Sequence, residues 1–123
     1  MSAESLSIFV YGTLKSGLSN HRWLAGQQLL GEARTKPCYR MFDCGGYPGM
    51  VRVAQGGVAI SGEVWLVDVP GRVKLDILED VALGAYALEP VALEEPFAKE
   101  VFTYLYRWSV SGLRDAGSDW RET

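Results

Sequence analysis

Glycine and proline divide this chain into short runs suited to strands, and that punctuation most limits the folds open to it. In "SIFVYG", a buried-strand run from Ser7 to Tyr11 meets Gly12 directly. "LLGEART" and "CYRMFD" predict two more short strands, separated by Lys36-Pro37. "CGGYPGM" is a turn cluster in which no regular structure is expected. "GGVAISGEVWLVD" is the strongest β run, with Gly57 and Gly62 placed for a bulge or bend. "AYALEPVALEE" and "AKEVFTYLYRW" follow as two strands around a turn at Pro96. In the second, Val101, Thr103, Leu105 and Arg107 share one face, and Phe102, Tyr104, Tyr106 and Trp108 the other.

Two stretches carry a helical period. "NHRWLAGQQLL" predicts a short helix capped by the Asn20 side chain, with Trp23, Leu24 and Gln27 on one face. "VPGRVKLDILED" predicts an amphipathic helix with Pro70 in its first turn and Val73, Leu75, Ile77 and Leu78 as its apolar positions; it ends before Gly84. Short strands dominate, and two connections are helical. The fold expected is α+β: a small mixed, mostly antiparallel β-barrel of about six or seven strands with two short helices, rather than a doubly wound parallel sheet.

At 123 residues the chain is expected to form one domain, 1–123, with the glycine-rich, polar segment 109–123 as a surface tail. A net charge of −3 with no basic stripe argues against nucleic acid as a partner. Apolar stretches fall far short of a bilayer span, and "MSAESLS" has no leader pattern, so no membrane partner and a cytoplasmic location are expected. Cys38 and Cys44, with five residues between them, match no metal motif and are read as reduced structural residues. The oligomeric state stays open, with a monomer favoured.

The glycine loop after the first strand gives only weak support for phosphate binding, because it departs from the known templates. Gly12 and Gly17 have P-loop spacing, but Leu18 and Ser19 stand where Lys and then Ser or Thr are needed. The dinucleotide fingerprint fails too, for want of the paired first glycines. What remains is a set of backbone N–H groups after a strand, able to meet a carboxylate or a developing oxyanion, or simply a tight turn. His21 is the only histidine, so a histidine-based triad or zinc site would rest on one residue. That leaves "LDILED", with Asp76, Glu79 and Asp80. Glu79 comes one turn after Leu75 on the apolar side, whereas Asp76 and Asp80 are expected to face solvent. A glutamate at the end of a buried face is a candidate for a raised pKa.

Taken in order, these pieces resemble the γ-glutamyl cyclotransferase-like family. "VYGTLKSG" resembles its N-terminal strand and glycine loop, "GGYPGM" its Tyr-Pro turn, and "SGEVW" its central strand. "LDILEDVALGAY" is similar to its Leu-Asp-x-x-Glu-(x6)-Tyr signature, and "FTYLY" to its late Tyr-x-Tyr strand. The "YGTLK" form is most similar to the small bacterial members and the γ-glutamylamine cyclotransferases. The chain departs from the pattern at Asp80, where the family usually has Gly, and at Ala87 and Leu88, where an Arg often stands.

The resemblance implies Glu79 as catalytic acid/base and the loop Tyr11, Gly12, Thr13 and Leu14 as the cradle of a γ-glutamyl group. The implied reaction closes the glutamyl group to 5-oxoproline and releases an amine, as a lyase or acyltransferase. No metal and no other cofactor is needed. Tyr86 would orient Glu79, bind the α-carboxylate, or pack in the core with a satisfied hydroxyl. Tyr47, with Tyr104 and Tyr106, would line the cavity, and the Gly56-Gly57 turn and the tail would shape its rim. The alternatives are a non-catalytic small-molecule binding module on the same scaffold, and an interaction protein with no cavity near Gly12 and Glu79.

Overall fold

The computed structural model describes residues 5–97 and 100–122. Met1 to Glu4 of the segment read for a leader pattern, Ala98 and Lys99 at the head of the last long expected strand, and Thr123 of the expected tail lie outside them. The strands are Leu6–Val10 (β1), Gln28–Arg34 (β2), Tyr39–Asp43 (β3), Pro48–Arg52 (β4), Ser61–Val67 (β5), Tyr86–Pro90 (β6), Val101–Tyr106 (β7) and Arg114–Asp115 (β8). One α-helix, Val69–Leu78 (α1), joins β5 towards β6. Single 3₁₀ turns stand at His21–Leu24 and Val81–Leu83.

The larger sheet runs β2-β5-β1-β7-β6, and the smaller β4-β3-β8. β1 is central. It pairs antiparallel with β5 (Ile8 opposite Trp65) and parallel with β7 (Ile8 opposite Phe102). This position explains its unbroken apolar run, because both of its faces are covered. Phe9 and Tyr11 join a core with Tyr39, Met41 and Met50 of the small sheet. Ile8 and Val10 join a second core with Leu24, Trp65 and Leu75 of α1. β7 repeats this division: Val101 and Leu105 enter the first core, Tyr104 and Tyr106 the second. Burying two such cores is what positions the end of β1, and the loop after it, against the end of α1.

Several expectations need correction. Among the described residues the strands make two sheets and not a closed barrel. The edges near β2 and β6 meet at a single bridge, Thr35 to Leu93; beyond it Cys38 N–H turns back to Lys36 O (2.8 Å) and Ala92 N–H donates to the Tyr39 hydroxyl (2.9 Å), so the two edges pair no further. The helix expected from Asn20 is one 3₁₀ turn. Gly26 sits at φ +84°, and Gln28 onward is already strand. Asn20 makes no side-chain cap there. α1 is capped by Asp68, whose carboxylate accepts from Gly71 N–H at 2.8 Å. It buries Gly71 and Leu75, while Val73 and Ile77 are exposed. "CGGYPGM" is half turn and half strand. Asp43 Oδ1 accepts from the N–H groups of Gly45 and Gly46 (2.9 Å each), and β4 starts at Pro48. The bulge lies in β2, between Leu29 and Gly31, opposite the run where it was expected.

Candidate active site

A cavity of ≈ 260 Å³ opens where the end of β1, the end of α1 and the start of β6 meet. One wall is the loop Tyr11 to Leu14 together with Asn20; the other is Leu78, Glu79, Asp80, Ala85 and Tyr86. Tyr104 of β7, Pro48 of β4, Tyr47 and Trp108 complete it. The loop and Glu79, far apart in sequence, therefore border one space.

The loop wall is tightly held. A Cβ on Gly12 would stand 2.5 Å from Pro48 Cγ, so only glycine allows this approach. Lys15 N–H donates to Gly12 O (3.0 Å) and Asn20 N–H to Thr13 O (2.9 Å). The Asn20 amide, instead of capping a helix, donates to Thr13 Oγ1 at 3.0 Å. Among the described residues, no hydrogen bond is donated by the backbone N–H of Thr13 or Leu14, and both residues line the cavity. Those donors are available to a bound oxygen.

The segment read as a surface tail reaches this wall. Most of it is exposed, but Trp120 is buried in the first core. Lys15 Nζ donates to Asp119 Oδ1 (2.7 Å) and to Trp120 O (2.9 Å). Ser19 donates through N–H and hydroxyl to the Glu122 carboxylate at 3.0 and 2.6 Å. Lys15, Asp119 and Glu122 were not singled out from the sequence, and a lysine beside a glycine loop was the only available cue. Among the described residues, those of the tail and the Gly56-Gly57 turn do not line the cavity; Trp108 does.

The carboxylate wall is local. Glu79 is the C-cap of α1, its N–H bonded to Leu75 O at 2.9 Å. Asp80 turns the chain at φ +51°, and Gly84 at φ +80°. Ala85 N–H donates to Asp80 O (3.2 Å), closing the turn that brings Tyr86 beside Glu79. Burial pushes the Glu79 carboxyl up to about 7, and the Asp80 carboxylate adds to the shift. Among the described residues no hydrogen bond or ion pair reaches that carboxylate, and no acidic, Cys or His cluster could hold a metal ion. A carboxyl poised near neutrality in a cavity can take and return a proton.

The tyrosines divide by their partners. Tyr11 OH donates to Tyr104 O (2.7 Å) and accepts from Met50 N–H (3.1 Å), so this hydroxyl ties three strand regions together. Tyr86 OH donates to Pro48 O at 2.7 Å and is likewise occupied. Burial raises the pKa of both, with the Glu79 carboxylate adding to it. Tyr47 is exposed at the mouth. Tyr106 does not line the cavity; its ring packs edge-on against Tyr86 at 5.2 Å. Asp76, expected in solvent, is half-buried and accepts from Tyr104 OH at 2.6 Å. A helix position next to the buried face can still reach across to β7 when a tyrosine there needs a partner.

The family model "Gamma-glutamyl cyclotransferase, AIG2-like" matches residues 8–122. The chain belongs to this family. A relative in Vibrio cholerae serotype O1, named "Putative gamma-glutamylcyclotransferase", is 43% identical over 114 residues, covering 92% of this chain and 93% of its own. The solved structure of a uropathogenic Escherichia coli-specific protein superposes with a TM-score of 0.78 at 28% identity, covering 90% of this chain and 87% of that one. The AIG2-like protein of Mus musculus shares the fold, with a TM-score of 0.72 at 24% identity over 97% of this chain and 98% of its own. For this family member the α+β architecture of two sheets and one helix is shared with these structures, and relatives carrying the cyclotransferase name are similar over nearly the whole chain.

Proposed function

We propose that this protein is a γ-glutamyl cyclotransferase that converts a small γ-glutamylamine or γ-glutamyl peptide to 5-oxoproline, with Glu79 as general acid/base. One observation carries the reading: Glu79, with its pKa moved to about 7, borders the same cavity as the unoccupied N–H groups of Thr13 and Leu14.

The chemistry follows from these groups. Glu79, as carboxylate, takes a proton from the substrate's α-ammonium. The freed amine attacks the γ-carbonyl carbon of its own molecule, forming the C–N bond of a five-membered lactam. Negative charge builds on the former carbonyl oxygen, where the loop N–H groups donate. The bond from that carbon to the departing nitrogen breaks, and Glu79 returns the proton to it; the ring nitrogen, left with one proton too many, gives that proton up through Glu79 to the released amine, which leaves as an ammonium. Nucleophile and electrophile share one molecule, so little entropy is lost in bringing them together. Tyr11 and Tyr86, whose hydroxyls are already paired, act as walls that keep Glu79 desolvated. The ligand-sized cavity speaks against an interaction protein that keeps only the fold.

Incubation with a panel of γ-glutamyl amines and peptides, with 5-oxoproline as readout, tests the proposal. Catalytic release from at least one of them is expected. Binding without release across the panel would favour a non-catalytic binding module.

A further inference from the structure

One carboxylate near Glu79 has no part in ring closure. Asp76 stands on α1 about one turn before Glu79, half-buried, and its Oδ1 accepts from Tyr104 OH at 2.6 Å. So short an O–H···O contact fits a charge-assisted bond. Tyr104 in turn lines the cavity with Glu79.

A carboxylate only accepts, so the one hydroxyl proton of Tyr104 is committed to Asp76. Burial, and after it the bond to Asp76, hold that hydroxyl above its usual range, so it keeps the proton. What the Tyr104 oxygen has left is acceptor capacity, and among the described residues nothing donates to it. Tyr11 differs, because its oxygen already accepts from Met50 N–H. Tyr86 differs too, because it donates to the neutral carbonyl of Pro48. A charged partner polarises the O–H bond and makes the oxygen a stronger acceptor. One helix therefore sets two acceptors at the cavity: the Glu79 carboxyl directly, and the Tyr104 oxygen through Asp76. A group with several N–H donors suits such a pair.

We propose that Asp76 is a positioning residue: through Tyr104 it holds an acceptor against the substrate's α-amino group, beside Glu79. This rests on the cyclotransferase reading of the same site. The α-ammonium has three protons. Glu79 takes one, and the amine donates one of the remaining two to Tyr104. That bond limits how the nitrogen can turn and leaves its lone pair for the γ-carbonyl. Tyr104 neither gains nor loses a proton.

L-Glutamate and glutarate differ only in the α-ammonium, and calorimetry of their binding needs no turnover. Wild type should bind L-glutamate the more tightly. That preference should fall about three- to tenfold in Tyr104→Phe, and in the same direction in Asp76→Asn, whose amide frees the Tyr104 proton to turn into the cavity. A purely structural Asp76 would lower the melting temperature and leave the preference unchanged, which would overturn the inference. Equal binding of the two ligands by wild type, or an unchanged preference in Tyr104→Phe, would overturn it too; if Asp76→Asn does not fold, Tyr104→Phe decides alone. In each of these cases 5-oxoproline release by wild type would leave the cyclotransferase reading standing. No release from any γ-glutamyl compound would overturn that reading, and the inference with it.

Discussion

The two walls of the cavity are built in opposite ways. The carboxylate wall is made by neighbours in sequence: a helix end at Leu78, a left-handed residue at Asp80, a glycine at Gly84, and the turn that returns the chain at Ala85. The loop wall takes its shape from residues at the other end of the chain, through Lys15 with Asp119, Ser19 with Glu122, and Tyr11 with Tyr104. A wall made locally keeps its geometry when distant contacts fail. A wall made remotely can loosen without the protein unfolding. Function should therefore respond differently to substitutions on the two sides.

Glu79→Gln should produce the largest effect. It removes the proton acceptor while keeping size, and positioned general-base catalysis is worth ~10²–10⁴-fold, so turnover should fall by that amount with substrate binding largely kept. Stability gives an independent check. A carboxyl whose folded-state pKa is raised favours its protonated form in the native state. Wild type should then lose stability as pH rises from the ordinary carboxylate range through about 7. The Gln variant lacks this loss, so thermal melts should show it gaining on wild type between pH 5 and 8. No widening of the difference in Tm would mean that Glu79 is not desolvated.

Gly12→Ala comes next. Its Cβ would overlap the Pro48 ring, and overpacking of this kind costs about 1–3 kcal/mol in chemical denaturation. The loop must move or the ring must, so kcat/KM should fall as well. Unchanged stability would show that the close approach is not needed.

Lys15→Met should have the smallest effect. Its ion pair with Asp119 is partly exposed, at 39% for the Asp119 side chain, and Arg121 also pairs with that carboxylate. A loss of about 1 kcal/mol in holding the loop would raise KM roughly fivefold with little change in kcat. A drop in kcat with KM unchanged would place Lys15 in the chemistry and break the distinction between the walls.

The same contrast explains what could be read from the sequence. The raised carboxyl of Glu79 was legible because its cues are local: one turn after Leu75, at the end of an amphipathic segment. The strands of the larger sheet were legible from their β-type runs. Asn20 was misread because a helix cap and a loop bond to Thr13 use the same side chain, and only the fold decides between them. Asp76 was misread because its partner, Tyr104, lies on another element. The closing segment read as a polar tail because its attachments, the buried Trp120, the β8 pairing with β3 and the bonds of Asp119 and Glu122 to the loop, all have partners far away in sequence, and one aromatic gives no period to detect. Sheet closure was unreadable for a similar reason, since it turns on one bridge next to Pro37.

The central claim, that Glu79 is the base, is tested most directly by the pH profile of 5-oxoproline release in wild type and Glu79→Gln. For wild type, kcat/KM should rise through an acid limb with an apparent pKa near 7, because the carboxylate is the active form. In the Gln variant the residual rate should lack that limb. The same limb persisting in the variant, or a wild-type profile that is flat through pH 7, would contradict the account.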